Sequence, residues 1–172
     1  MVAHIDDVAC LGCGICSSAC PTRAIEVDNY GKEESLGVIN TIVQKFIELQ
    51  EKKPVLLYQC KECALASADL AQMTDWNPKL VLPIVVPCAG HISLLELLKA
   101  FQSGADGIVV SSCTHCHNGP GDQMAEAYAE VASQILDILG QNGERISYLR
   151  TCAAEPNKLT MTINYLYERL GR

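Results

Sequence analysis

The chain has 172 residues, 49% of them hydrophobic, with a formal net charge of −7 and a pI near 5.0. That length fits one ordinary domain plus a small appendage, and the acidic balance excludes the basic face of a nucleic-acid binder. No stretch reaches the roughly 18 uninterrupted apolar residues of a membrane helix. The first eight residues, with His4, Asp6 and Asp7, hold no apolar signal core, so a soluble, cytoplasmic protein is expected.

Residues 1–31 form a first unit, in which two short apolar stretches at 4–5 and 24–27 flank a cysteine run. The polar stretch 28–35, holding Gly31, marks a boundary. Over 36–50 the positions Val38, Ile39, Ile42, Val43, Phe46, Ile47 and Leu49 recur at helical spacing, predicting a connecting helix that stops before Pro54. Strands and helices then alternate. Strands are predicted over 55–59, 80–86, 105–111 and 146–151, and helices over 64–73, 91–101, 122–139 and 156–170. Continuous apolar strands separated by helices imply an α/β fold: a four-stranded, mostly parallel sheet with helices on both faces. Pro83 points to an edge position or a bulge for the second strand. The chain thus divides into 1–31, a connecting helix within 32–53, and an α/β domain over 54–172.

Ten cysteines stand well above ordinary usage. A secreted disulfide scaffold would be shorter and richer in loops, and clustered cysteines in a reducing compartment are metal ligands or redox groups. Their placement follows the strands: Cys60, Cys88, Cys113 and Cys152 each close one. In an open parallel sheet all carboxyl ends share one rim, which is where ligands bind, so the fold itself gathers these thiols.

The first candidate site is Cys10, Cys13, Cys16 and Cys20 followed by Pro21, which matches the bacterial ferredoxin spacing for a [4Fe–4S] cluster. Gly12 and Gly14 let the backbone turn tightly, and thiolates are soft donors suited to iron. The unit therefore reads as a small ferredoxin-like half-domain. Only one such run is present. Either Cys20 completes its own cluster, which is the reading adopted, or a partner chain or a homodimer supplies a second half.

The second candidate site is the rim. Cys60 and Cys63, Cys113 and Cys116, and Cys88 between them provide five thiols, and two local pairs would suit a [2Fe–2S] cluster with four of the five as ligands. The same residues leave open a zinc site from two C-x-x-C pairs and a redox-active Cys60–Cys63 disulfide. His115 and His117 flank Cys116 and could ligate or hydrogen-bond a sulfur. His91 reads as a cap or rim residue, Cys152 as a buried spectator, and Tyr148, Tyr165 and Tyr167 as packing residues. The glycine-rich stretch 118–122 lacks a phosphate-loop signature and reads as a turn wrapping the cluster.

From Val55 onward the chain resembles the delta subunit of methyl-viologen-reducing hydrogenase. The resemblance rests on Gln59-Cys60-Lys61-Glu62-Cys63 with Ala68-Asp69-Leu70-Ala71, Val86-Pro87-Cys88-Ala89-Gly90, Leu98-Lys99-Ala100-Phe101 with the Gly104 to Val110 stretch, Cys113 to His117, and Ala153-Ala154-Glu155. It implies a [2Fe–2S] cluster in this domain. It also implies electron transfer from a hydrogenase or formate dehydrogenase-type subunit to a heterodisulfide reductase A-like flavoprotein. The stretch 11–27 is similar to the ferredoxin segment of that same flavoprotein. The expected function is an electron relay with one cluster at each end of the molecule, docked to different partners. A ferredoxin-linked thiol–disulfide reductase and a zinc-stabilised interaction module are the alternatives.

Overall fold

The computed structural model describes residues 4–71 and 80–171. Four parallel strands, β1 (Val55–Cys60), β2 (Val81–Val86), β3 (Gly107–Cys113) and β4 (Ile146–Thr151), form one sheet in the order β2-β1-β3-β4. Among the described residues six α-helices accompany them: α1 (Ile15–Ala19), α2 (Lys32–Gln50), α3 (Cys63–Ala71), α4 (Leu94–Gln102), α5 (Gly121–Ile138) and α6 (Pro156–Arg169). The α/β class expected from the strand–helix alternation is the one found. Among the described residues no helix is long and apolar enough to cross a membrane.

The strand order has a direct consequence. The chain steps outward from β1 to β2, then reverses past β1 to β3 and β4. Right-handed crossovers therefore place the helix between β1 and β2 on one face and those between β2 and β4 on the other. The two cores follow this division. On one face Leu56, Tyr58, Ile108 and Val110 pack against Ile39 and Val43 of α2, Leu97 and Ala100 of α4, and Ala125, Ala129 and Ala132 of α5. On the other, Val55, Leu57 and Val109 meet Ala68 and Ala71 of α3 and Leu159, Ile163 and Leu166 of α6. Residues alternate between the two faces along β1, as the pleat requires.

β1 and β3 are buried along their whole length, and β2 alternates, with Val85 42% exposed. β2 is an edge strand, and Pro83 sits in it opposite Leu57, as a proline with no N–H to donate should. Some boundaries differ from the sequence expectation for local reasons. β3 begins at Gly107 rather than 105, because the Ala105 amide donates to Ala100 and the Asp106 amide to Pro54. α4 begins at Leu94 rather than 91, because Ser93 and Glu96 form a capping box and residues 89–91 make a single 3₁₀ turn. α2 starts at Lys32, a turn earlier than expected. The predicted end of the third helix at 72–73 lies outside the described residues.

Candidate metal centres

The N-terminal site is built on a glycine-hinged loop. Gly12 and Gly14 adopt φ values of 63° and 78°, in the left-handed region that glycine enters without penalty. Gly14 then caps α1, its carbonyl accepting from the amides of Ser17 and Ser18. Cys16 lies in α1, Cys20 closes it in an extended conformation, and Pro21 prevents continuation. Cys10 and Cys16 are exposed and Cys13 and Cys20 half-buried, all as free thiols. Thr22, whose hydroxyl lies 3.4 Å from the sulfur, is the main cause that lowers the Cys20 thiol to about 7. A run of soft donors on a loop whose glycines take the tight turns fits a [4Fe–4S] group.

At the rim, the reversal of strand order falls between β1 and β3, and this is the crevice where open α/β sheets bind ligands. Cys60 ends β1, Cys113 ends β3, and their sulfurs stand 3.1 Å apart. Cys63 opens α3, and its sulfur lies 3.9 Å from Nε2 of His117. Donor atoms of Cys63, Cys113 and His117 all fall within 4.8 Å of one another. A second pair, Cys88 and Cys116, stands 3.8 Å apart. The thiols therefore pair across the sheet, 60 with 113 and 88 with 116, rather than within each C-x-x-C. The nearest sulfur to Cys60 is that of Cys113 and not of Cys63, because a strand end faces its neighbouring strand while Cys63 has already turned into a helix.

Electrostatics separates the two pairs. Cys60 is lowered to about 6, chiefly by its hydrogen bond with Cys113 and then by the amides of Ala64, Glu62 and Cys63, against the effect of burial. The same bond, with burial, pushes Cys113 up. Burial raises Cys88 to about 11, opposed by the Gly90 amide and the Asn118 side chain. Close pairs of thiols are soft donors of the kind that hold iron.

Other residues singled out in the sequence have more varied places. Cys152 is half-buried rather than buried, and donates to Glu155 Oε2 at 3.6 Å. His115 is exposed. Tyr148 does more than pack, since its hydroxyl bonds Ser112 and donates to the Asp122 carbonyl. The stretch 118–122 does wrap the rim. Gly121, the first residue of α5, has so little room that a Cβ there would stand 2.5 Å from Sγ of Cys88 and 2.9 Å from Sγ of Cys116.

The two cysteine groups are neighbours, and in this the structure corrects the picture of clusters at opposite ends. α1 is seated on the turn that follows Cys88. Ser18 Oγ donates to the Gly90 carbonyl at 2.5 Å, Tyr128 donates to the Ser18 carbonyl at 3.4 Å, and buried His91 places Nδ1 3.3 Å from the Gly14 carbonyl. Ile15, between Cys13 and Cys16 in sequence, reaches the point where a Cβ on Gly121 would also meet Cys88 and Cys116. Sequence reasoning missed this contact. The bare Gly90 and Gly121, and a histidine directly after Gly90, are the only signals of it.

Comparison with known proteins follows the same division of the chain. Residues 55–172 match the family model "Methyl-viologen-reducing hydrogenase, delta subunit", and residues 3–26 match a 4Fe-4S binding domain. The iron-sulfur subunit of the vhu F420-non-reducing hydrogenase of Methanococcus maripaludis is 32% identical over 124 residues, covering 70% of this chain and 92% of the relative. Its counterpart in Methanococcus voltae is 30% identical over 118 residues, covering 67% and 88%. The A component of the Ferredoxin:CoB-CoM heterodisulfide reductase of Methanosarcina mazei is 31% identical over 203 residues, covering 99% of this chain but 25% of that longer protein. The cysteine-bearing α/β domain thus belongs to the methyl-viologen-reducing hydrogenase delta-subunit family, carried here behind a 4Fe-4S binding segment.

Proposed function

We propose that this chain is an iron–sulfur electron-transfer subunit. In this reading Cys10, Cys13, Cys16 and Cys20 hold a [4Fe–4S] cluster. Cys60 with Cys113 and Cys88 with Cys116 hold the two irons of a [2Fe–2S] cluster. Such clusters supply reversible one-electron chemistry, and the chain makes no bond in a substrate. The observation that carries the proposal is the pairing of thiols beyond the strand ends, Cys60 with Cys113 at the switch point and Cys88 with Cys116 beside the start of α5, with α1 packed against the turn after Cys88. Ile15 reaches the close approach of Gly90 and Gly121, beside Cys88 and Cys116. Cys63 and His117 share one group with Cys113, donor atoms within 4.8 Å of one another, and in this reading they hydrogen-bond the rim sulfurs.

The relatives named above support partners of two kinds. The donor is a protein of the hydrogenase or formate dehydrogenase type, and the acceptor is a heterodisulfide reductase A-like flavoprotein. Adjacent centres mean that the electron crosses this chain in one short step, and each partner need approach only one centre.

The test is metal and sulfide analysis of anaerobically purified protein, combined with EPR. Iron and labile sulfide for two clusters and two reduced-cluster signals are expected. Cys60→Ser and Cys116→Ser should each remove the rim signal and leave the N-terminal one. Zinc in place of rim iron overturns the assignment. A second reading, a thiol–disulfide reductase fed by the N-terminal cluster, is favoured by one observation: the 3.1 Å Cys60–Cys113 contact with its lowered Cys60 thiol. Anaerobic alkylation of the protein as purified, followed by mass spectrometry, separates the two readings. A trapped Cys60–Cys113 disulfide in iron-loaded protein supports the reductase and sinks the cluster.

A further inference from the structure

Tyr148 and Arg150 stand two residues apart on β4, on one face of the strand. The Tyr148 hydroxyl uses its whole hydrogen-bonding capacity. It donates to the Asp122 carbonyl at 2.9 Å, and accepts from the Ser112 hydroxyl at 2.8 Å and from Nε of Arg150 at 3.2 Å. Arg150 in turn reaches Asp122 Oδ2 at 3.3 Å and Glu126 Oε2 at 2.7 Å, its guanidinium 5.9 Å from the centre of the Tyr148 ring. Two side chains of β4 thus join it to the end of β3, through Ser112, and to the first two turns of α5, through Asp122 and Glu126.

What they hold has little means of holding itself. The stretch leading into α5 contains Gly119 at φ 64°, then Pro120 and Gly121, and Pro120 at the N-cap supplies no side-chain hydrogen bond. Yet its place is closely specified, since Gly121 leaves no room for a Cβ beside the sulfurs of Cys88 and Cys116. The other rim pair needs no such help. Cys60 and Cys113 end two strands that pair directly, as far as Gln59 with Ser111, so the ladder sets their approach. Cys116 lies beyond the end of β3, and its 3.8 Å approach to Cys88 depends on where α5 begins.

We propose that Tyr148 and Arg150 are positioning residues for the rim: they latch the first turn of α5 to the sheet and so keep Cys116 beside Cys88. Neither touches a thiol, and each acts through Asp122, the residue after Gly121. The two halves of the rim then differ in how they are secured, one by main-chain pairing and the other by a pair of side chains. Groups that orient metal ligands in this way govern how firmly a centre is held. The role in retaining metal rests on the rim cluster proposed above, whereas the placing of α5 does not.

The experiment compares the full chain, purified anaerobically, with Tyr148→Phe, Arg150→Gln and Arg150→Lys. Tyr148→Phe keeps the ring and removes only the hydroxyl. Amide hydrogen exchange across 116–126 is expected to quicken about tenfold in Tyr148→Phe and Arg150→Gln, with β1 and α6 unchanged. Arg150→Lys, which keeps the charge facing Asp122 and Glu126, should fall between Arg150→Gln and the wild type. Release of rim iron to a chelator should quicken about tenfold in Tyr148→Phe, with a shifted rim EPR signal and an unaltered N-terminal one. Unchanged exchange over 116–126 in both Tyr148→Phe and Arg150→Gln overturns the latch. So does exchange that quickens equally over the whole sheet, which would make these residues general supports of the fold. The exchange measurement decides the matter even where the rim proves to hold no iron, a result that would sink the rim cluster instead.

Discussion

At Gly121 a single methyl group decides whether the rim can close. Alanine is the better helix former by about 1 kcal/mol, yet its Cβ would stand 2.5 Å from one thiol and 2.9 Å from the other. Gly121→Ala should therefore lose the rim cluster while keeping α5 and the N-terminal cluster, seen as a drop in iron content and loss of one EPR signal with an unchanged far-UV spectrum. Cys20 allows a pH test. Its thiol is held near 7 mainly by Thr22, below the usual value of 9.0. In metal-free protein its alkylation rate should rise as pH climbs through 7 and then level, and Thr22→Val should move that rise toward higher pH. That the cysteines fall into two groups was legible in the sequence, because the ferredoxin spacing and the strand-end placement are both local patterns. Which thiol meets which was not, since Cys60 and Cys113 are joined by strand pairing across 53 residues and not by any spacing. The burial of Lys32 was equally hidden, because a lysine at the start of an amphipathic helix reads as a solvated charge.

Among the elements, α4 shows how a local signal competes with a periodic one. The apolar pattern allowed a start at 91, but Ser93 and Glu96 close a capping box that fixes the start at Leu94. That Ser-x-x-Glu signature was in the sequence and outranks periodicity at a helix end. Ser93→Ala removes the acceptor for the Glu96 amide and one of the two donors to the Glu96 carboxylate, so a loss of about 1 kcal/mol is expected, read from the urea midpoint of the metal-free protein. β2 is the opposite case, where one residue placed an entire strand. Pro83 marked the edge position correctly, because a proline interrupts hydrogen bonding wherever a strand has two neighbours. α1, only five residues long, could not have been read from periodicity at all. Its position depends on Gly90, His91 and Tyr128, which lie far away in sequence.

Over the whole molecule, the order β2-β1-β3-β4 explains why a sheet with four strand-end cysteines builds its closest thiol contact between β1 and β3. The sequence pattern carried the parallel sheet and its common rim, but not the order of strands, and the order selects the partners. The same limit applies to the N-terminal segment, which reads as an independent appendage yet is fastened to the rim by main-chain carbonyls that any sequence could offer. One consequence of this architecture concerns biogenesis. The thiols of the first centre lie within a single short stretch at the start of the chain, so they are complete as soon as that stretch leaves the ribosome. Those of the rim do not exist as a set until β3 has been made and has paired with β1, and until the loop leading into α5 has folded over them. Iron held at the rim as proposed would therefore be a record of finished folding, and in stepwise refolding with iron and sulfide the N-terminal thiols are expected to take up iron before those of the rim.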